Sequence, residues 1–226
     1  MARFGAVRVK VWDGPTRLFH WLLVLLLGFS WYSGSQGNDW LPWHFLSGYA
    51  ILTLLLFRIA WGLVGSTYSR FTHFLKGPGA ALHHLRGLVG RGPMTDYGHN
   101  PLGAYMIVIM LAVLLVQVGT GLFADDDIAT EGPLGELVSS HTRSLLTTIH
   151  SVNFNIILIL SGLHVAAVLY YLFVRRENLI VGMLRGYKTL PQPDPVPPRF
   201  VPVWRAAAIL SLAALVVWAI VRLGGS

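Results

Sequence analysis

Five apolar runs, each close to the length of a bilayer crossing, constrain this chain more than any other feature. A transmembrane helix needs about 20 mostly apolar residues. Such runs lie at Leu18–Ser33, His44–Val64, Leu102–Ala124, Leu145–Val174 and Trp204–Arg222. Only 12% of the residues are charged while 54% are hydrophobic. An ordinary soluble domain carries about 25% charged residues, so disorder is excluded and the balance weighs against a soluble fold. The expected class is an all-α membrane protein. It is a transmembrane helix bundle of five spans, with a proline-rich linker at Pro191–Pro202 before the fifth. No internal repeat stands out. Arg3, Arg8 and Lys10 precede the first run, as in a signal peptide, but the leader is long and no Ala-x-Ala site follows.

The net charge of +7 would suggest nucleic acid in a soluble protein. Here it is an orientation signal, and no nucleic-acid partner is expected. Arg3, Arg8, Lys10 and Arg17 precede the first span; Arg70, Lys76, Arg86 and Arg91 lie between spans two and three. Arg175, Arg176, Arg185, Lys188 and Arg199 lie between spans four and five. The alternate loops hold Asp39, and then Asp125, Asp126, Asp127, Glu131 and Glu136 against the single Arg143. Positive charge stays on the cytoplasmic side. The N-terminus is therefore read as cytoplasmic, and five spans put the C-terminus outside. Trp31, Trp40, Trp43, Trp204 and Trp218 fall near span ends, where an aromatic belt meets lipid headgroups. Residues 78–89 and 178–187 read as amphipathic helices lying on the lipid surface.

The chain has nine histidines and no cysteine. The missing thiols exclude disulfides, iron–sulfur clusters, cysteine-based zinc sites and covalently attached c-type haem. Ionisable groups within a bilayer are rare and usually functional. His20, His44, His150 and His164 lie in or at the edge of spans. The other five lie in loops or at extreme span ends and read as solvated. His150 and His164 are fourteen residues apart, close to four turns, so they share a face about 21 Å apart along the axis. By depth, His20 pairs with His164 on the inner side and His44 with His150 on the outer side. Opposed imidazoles on separate helices can clamp the iron of a flat macrocycle. The alternative is a hydrogen bond from each histidine to a polar neighbour. Zinc or copper would normally add carboxylate or sulfur ligands. Without cysteine, the cofactor read from these four is two haem b groups.

Haem propionates call for cations. Arg58 lies fourteen residues after His44 at the inner depth, Arg17 one turn before His20, and Arg143 near the outer pair. Snorkelling to the inner surface is the other reading of Arg58. Gly28 and Gly48 lie within spans, where glycine admits either a flat ring or a neighbouring helix.

The stretches VWDGPTRLFHW at Val11–Trp21, HFLSGY at His44–Tyr49 and FRIAWGLVGSTYSRF at Phe57–Phe71 resemble the prokaryotic cytochrome b561 family. That family includes the b-type cytochrome subunits of nickel–iron hydrogenases. GHNPLGA at Gly98–Ala104, TGLFADDDIATEGPL at Thr120–Leu134 and LHVAAVLYYLFVRRENL at Leu163–Leu179 extend the resemblance. It implies a bacterial inner-membrane protein with a four-helix core over residues 1–188, holding two b haems with the same four histidines in the ligand positions, and then the linker and fifth helix over residues 189–226. It also implies electron transfer between the membrane quinone pool and a periplasmic c-type cytochrome or redox enzyme. The alternatives are a self-standing quinone or superoxide oxidoreductase and a membrane anchor for a hydrogenase-like enzyme. Whether the chain is itself an enzyme, and whether it forms a homodimer, stays open at this point. Trp43, Asn153 and Asn155 outside, with Trp21 and Tyr170 inside, are the candidates for a small-molecule pocket.

Overall fold

The computed structural model describes residues 7–87, 98–125, 131–190, 192 and 194–224. Among them, five helices are long and apolar enough to cross a membrane. These are α1 (Gly14–Ser35), α2 (Leu41–Val64, preceded by a 3-10 turn at Asn38–Trp40), α5 (Pro101–Gly121), α6 (Ser140–Phe173) and α8 (Val203–Gly224). Short helices α3 (Phe71–Phe74), α4 (Pro78–Gly87) and α7 (Leu179–Arg185) lie between them. Leu25, Leu63, Ile159, Leu212 and Trp218 are exposed on the long helices, as expected of side chains whose solvent is lipid.

The chain divides into two compact units. One comprises Met1–Leu18, Ile59–Ile109 and Leu163–Ala206. Its centre is Val11, Trp12 and Tyr68, with Val9 and Met183 packed against them. A two-stranded antiparallel ribbon pairs β1 (Val7–Lys10) with β2 (Tyr187–Leu190), Val7 opposite Leu190 and Lys10 opposite Tyr187. Helix α7 delivers the chain to β2. Asn178 caps its start by accepting from the Val181 N–H, and Gly186 ends it at φ 85°. That left-handed conformation suits glycine. A Cβ on Gly186 would also meet the Trp12 carbonyl at 2.8 Å.

Asp13 organises the entry to α1. Its Oδ1 accepts from the Thr16 N–H at 2.7 Å, so it is the N-cap of the helix. Its Oδ2 accepts from Trp61 Nε1 at 3.0 Å and Ser69 Oγ at 3.1 Å. Ser69 spends its one hydroxyl proton on that carboxylate, so Thr16 Oγ1 donates to Ser69 Oγ at 2.8 Å. The cap explains why α1 begins four residues before the apolar run: the run marks where lipid begins, and the cap marks where the helix begins. Asp13→Ala removes the cap and strands two buried donors, at a cost of about 3 kcal/mol. Thermal unfolding of the detergent-solubilised protein should show a clear loss of stability for this variant, against little change for the exposed Asp39→Ala.

Two expectations need correction here. Residues 191–202 form more than a linker, although Pro191 and Pro193 lie outside the described residues. Tyr68 Oη donates to Asp194 Oδ2 at 2.5 Å, the Thr67 N–H to the Arg199 carbonyl at 3.0 Å, and the Val201 N–H to Ser66 Oγ at 3.1 Å. Nor are all the loop histidines solvated. His99 packs on Trp12 and Phe74, with ring centres 4.3 and 4.8 Å away. His84 Nε2 lies 2.9 Å from Tyr171 Oη, which also accepts from Asn100 Nδ2 at 2.9 Å. His73 sits edge-on to Tyr68. Partial burial there holds His73 below its ordinary pKa, with Asp194 opposing the shift and Arg70 and Lys76 adding to it.

Both amphipathic segments do form helices, at Pro78–Gly87 and Leu179–Arg185. Leu88 and Val89, expected to continue the first, lie outside the described residues, as do Arg91 in that loop and Asp126 and Asp127 of the acidic loop.

Candidate functional site

The second unit comprises Phe19–Arg58, Met110–Gly162 and Ala207–Ser226. It contains a cavity of about 380 Å³, within the range of ligand pockets. His44 from α2 and His150 from α6 both line it, together with Trp31, Gly48, Tyr49 and Phe154. The structure thus brings together the two histidines paired by depth. Their ring centres are 6.2 Å apart and their planes stand at 84°.

The two imidazoles are mounted in the same way. His44 Nδ1 donates to the Ser30 carbonyl on α1 at 2.9 Å, with Ser30 Oγ at 3.3 Å. His150 Nδ1 donates to the Gln117 carbonyl on α5 at 2.9 Å, with Thr120 Oγ1 at 3.4 Å. A carbonyl can only accept, so each Nδ1 carries the proton and each Nε2 keeps a lone pair. Such a partner on the far nitrogen is the usual support of a metal-binding histidine.

The glycine four residues beyond each carbonyl makes this mount possible. A side chain in a helix leans toward the N-terminus and covers the preceding turn. Gly34 follows Ser30, and Gly121 follows Gln117, each by four residues. A Cβ on Gly34 would lie 2.8 Å from His44 Nδ1, and one on Gly121 would lie 2.8 Å from His150 Cε1. Glycine therefore leaves the second lone pair of each carbonyl open to the imidazole.

These features fit a bis-histidine haem. Two imidazoles from separate helices on one cavity wall are the donor set that could hold a haem iron. A Cβ on Gly48 would meet nothing within 4 Å, which leaves a flat approach along α2 at the cavity wall. Gly28 also has open space at its Cβ position, but it does not line the cavity. Among the described residues, no group of three or more His, Asp or Glu side chains could hold a bare ion.

The other candidates are placed as follows. Arg143 on α6 pairs with Asp125 at 3.4 Å and with Glu131. Asp125 itself lines the cavity. Arg58 on α2 is 2% exposed, so its guanidinium does not snorkel to water. Arg17 Nη1 donates to the Leu184 carbonyl at 2.5 Å. His20 lies on α1 with its ring edge-on to Trp21, centres 4.9 Å apart. His164 lies on α6. His141 is exposed at the start of α6.

Sequence reasoning missed Ser30, Gly34, Gln117 and Thr120 as parts of the site. Asn153, expected only as a pocket neighbour, is 6% exposed and bonds to Gln117. Trp43 and Asn155 are exposed.

A multi-pass helical membrane protein with two like-mounted histidines on a cavity wall belongs to a recognisable class, the membrane cytochromes of b type. The model of the family described as prokaryotic cytochrome b561 matches residues 11–186, and the chain belongs to that family. Membership implies haem b and electron transfer in a membrane. The chain is 26% identical over 142 residues to the probable Ni/Fe-hydrogenase 1 B-type cytochrome subunit of Escherichia coli (strain K12), covering 51% of this chain and 60% of that protein. It thus spans 60% of that relative's length. It is 24% identical over 211 residues to the probable Ni/Fe-hydrogenase B-type cytochrome subunit of Azotobacter vinelandii, covering 80% of this chain and 88% of that protein. No solved structure matches the chain significantly.

Proposed function

We propose that this chain is a transmembrane di-haem cytochrome that passes electrons between the membrane quinone pool and a redox partner on the periplasmic side. The observation that carries the reading is the matched mounting of His44 and His150, each with Nδ1 on a carbonyl of the preceding long helix and its ring on the cavity wall. Haem b bound there would supply a one-electron couple.

The residues around it have separate tasks. Ser30 and Gln117 fix the tautomers, Gly34 and Gly121 admit the rings, and Gly48 leaves room along α2. Burial among apolar side chains and the two imidazoles would set the potential of a haem held there. The second haem rests on helix arithmetic: His20 and His164 as ligands, with Arg58 and Arg17 offering charge to its propionates. Arg143, held by two carboxylates, sets the charge balance at the rim of the first site. The charge asymmetry of the loops supports a cytoplasmic N-terminus and a His44–His150 site toward the periplasm.

The family relatives favour a second form of the same reading. Their names describe cytochrome subunits of Ni/Fe-hydrogenases, so the periplasmic partner is a redox enzyme of that kind, with this chain as its membrane subunit. Purified protein is expected to show a reduced b-type spectrum with two haems per chain. Absence of haem would sink the proposal, and a ratio of one would remove the second site. Oxidation of the reduced protein by a quinone analogue, with no partner present, would place the quinone reaction on this chain. Co-purification with a hydrogenase would favour the subunit form.

A further inference from the structure

The His44–His150 cavity contains a hydrogen-bond chain that the ligand scheme does not use. Asn153 Nδ2 donates to the Val113 carbonyl at 3.0 Å and to Gln117 Oε1 at 2.8 Å. Gln117 Nε2 lies 3.1 Å from His150 Nε2. His150 Nδ1 donates to the Gln117 carbonyl at 2.9 Å.

The direction of every bond is determined. Both ends of the chain are backbone carbonyls, which only accept. The Val113 carbonyl fixes the Asn153 nitrogen as the donor. The atom of Gln117 that faces it must then be oxygen, so the Gln117 nitrogen faces His150. Since His150 Nδ1 already donates, Nε2 must accept. Gln117 therefore holds both nitrogens of one imidazole: its main chain takes the proton and its side chain covers the lone pair.

That lone pair is the one an iron would need. We infer that the Gln117 carboxamide is a placeholder for the metal. It covers His150 Nε2 while the main-chain carbonyl holds the ligating tautomer, and it must withdraw for Nε2 to bind haem. Asn153, buried and tied to α5, sets the strength of the placeholder by orienting the carboxamide. His44 shows what differs: it has the same carbonyl mount, and among the described residues its hydrogen bonds are all at Nδ1. The two candidate ligands are thus unequally covered. His44 is ready to ligate and His150 is covered.

This inference rests on the reading of His150 as a haem ligand, and the two can fail separately. Haemin is titrated into detergent-solubilised, haem-depleted full-length protein, with binding followed by the bis-histidine absorption bands. Gln117→Ala removes the cover and keeps the main-chain carbonyl. Releasing one neutral hydrogen bond predicts a gain of about fivefold in haem affinity at this site, with faster association. Asn153→Ala should give a smaller gain in the same direction, and no further gain on top of Gln117→Ala. Equal or weaker binding by Gln117→Ala overturns the placeholder. Should that variant fail to fold, Asn153→Ala decides alone, and unchanged or weaker binding overturns it equally. His150→Ala serves as the control: if it keeps full haem at this site, the ligand assignment falls and not merely the role of Gln117.

Discussion

His150→Ala is expected to abolish haem binding at the cavity and to halve the haem-to-protein ratio, leaving the spectrum of the other site intact. Losing a partner that only orients a metal ligand costs about 10–100-fold in affinity, and loss of the ligand itself should exceed that. His44→Ala should give the same result, and the double variant should lose no more haem than either single variant. His141 cannot substitute: it lies nine residues before His150, half a turn out of phase, and is exposed. His164→Ala should do the converse and spare the His44–His150 haem. Measuring pyridine haemochrome against protein mass, with reduced-minus-oxidised spectra, separates these outcomes. A full complement of haem in His150→Ala would refute the pairing.

Much of this is legible in the sequence. Span count follows from hydropathy because lipid leaves a chain no other way to satisfy its backbone. All five expected runs lie within or closely overlap the five long helices. The His44–His150 partnership was readable because helix rise converts residue number into depth, and two polar groups at one depth favour meeting. Helix ends were less readable. Asp13 starts α1 through contacts with Trp61 and Ser69, residues some fifty positions away, and no local pattern announces them. The ribbon of Val7–Lys10 with Tyr187–Leu190 is four residues long on each side, too short to show an alternation. His84 and His99 looked solvated because sequence neighbours say nothing of Tyr171 or Trp12.

The site shows the same divide. Periodicity places a histidine on a face, and it does not say which carbonyl that face meets. Gly28 and Gly48 were chosen because they fall mid-span, where a ring might lie. Of the glycines that touch the ligands, Gly121 lies within the third apolar run and Gly34 just past the first, at the ends of α5 and α1, and neither position says that an imidazole lies against it. One signal was available in principle. Ser30 with Gly34 and Gln117 with Gly121 share a spacing of four residues, which uncovers a carbonyl at the C-terminal end of a helix. That spacing gains meaning only once each helix is known to face a histidine.

Gly121→Ala and Gly34→Ala are therefore expected to have effects out of proportion to one methyl group. At 2.8 Å from His150 Cε1 or His44 Nδ1, the added Cβ sits closer than real Cβ contacts allow, so the imidazole must move. The ring cannot move away and keep its bond to the Gln117 or Ser30 carbonyl. The Nδ1 proton then loses its fixed acceptor, the tautomer is no longer determined, and Nε2 shifts from its place on the cavity wall. Loss of such an orienting partner weakens metal binding by about 10–100-fold. Helix propensity works in the opposite direction, since alanine favours a helix over glycine by about 1 kcal/mol. A variant that holds its thermal stability while losing haem would thus report on the mount and not on the fold. Gly28→Ala is the matched control: it has the same chemistry in a long helix, with nothing within 4 Å of the new atom, and haem content should be unchanged. Haemin titration of the three variants, read beside their unfolding temperatures, tests the contrast. If Gly121→Ala and Gly34→Ala bind haem as tightly as Gly28→Ala, the carbonyl mounts do not position the ligands.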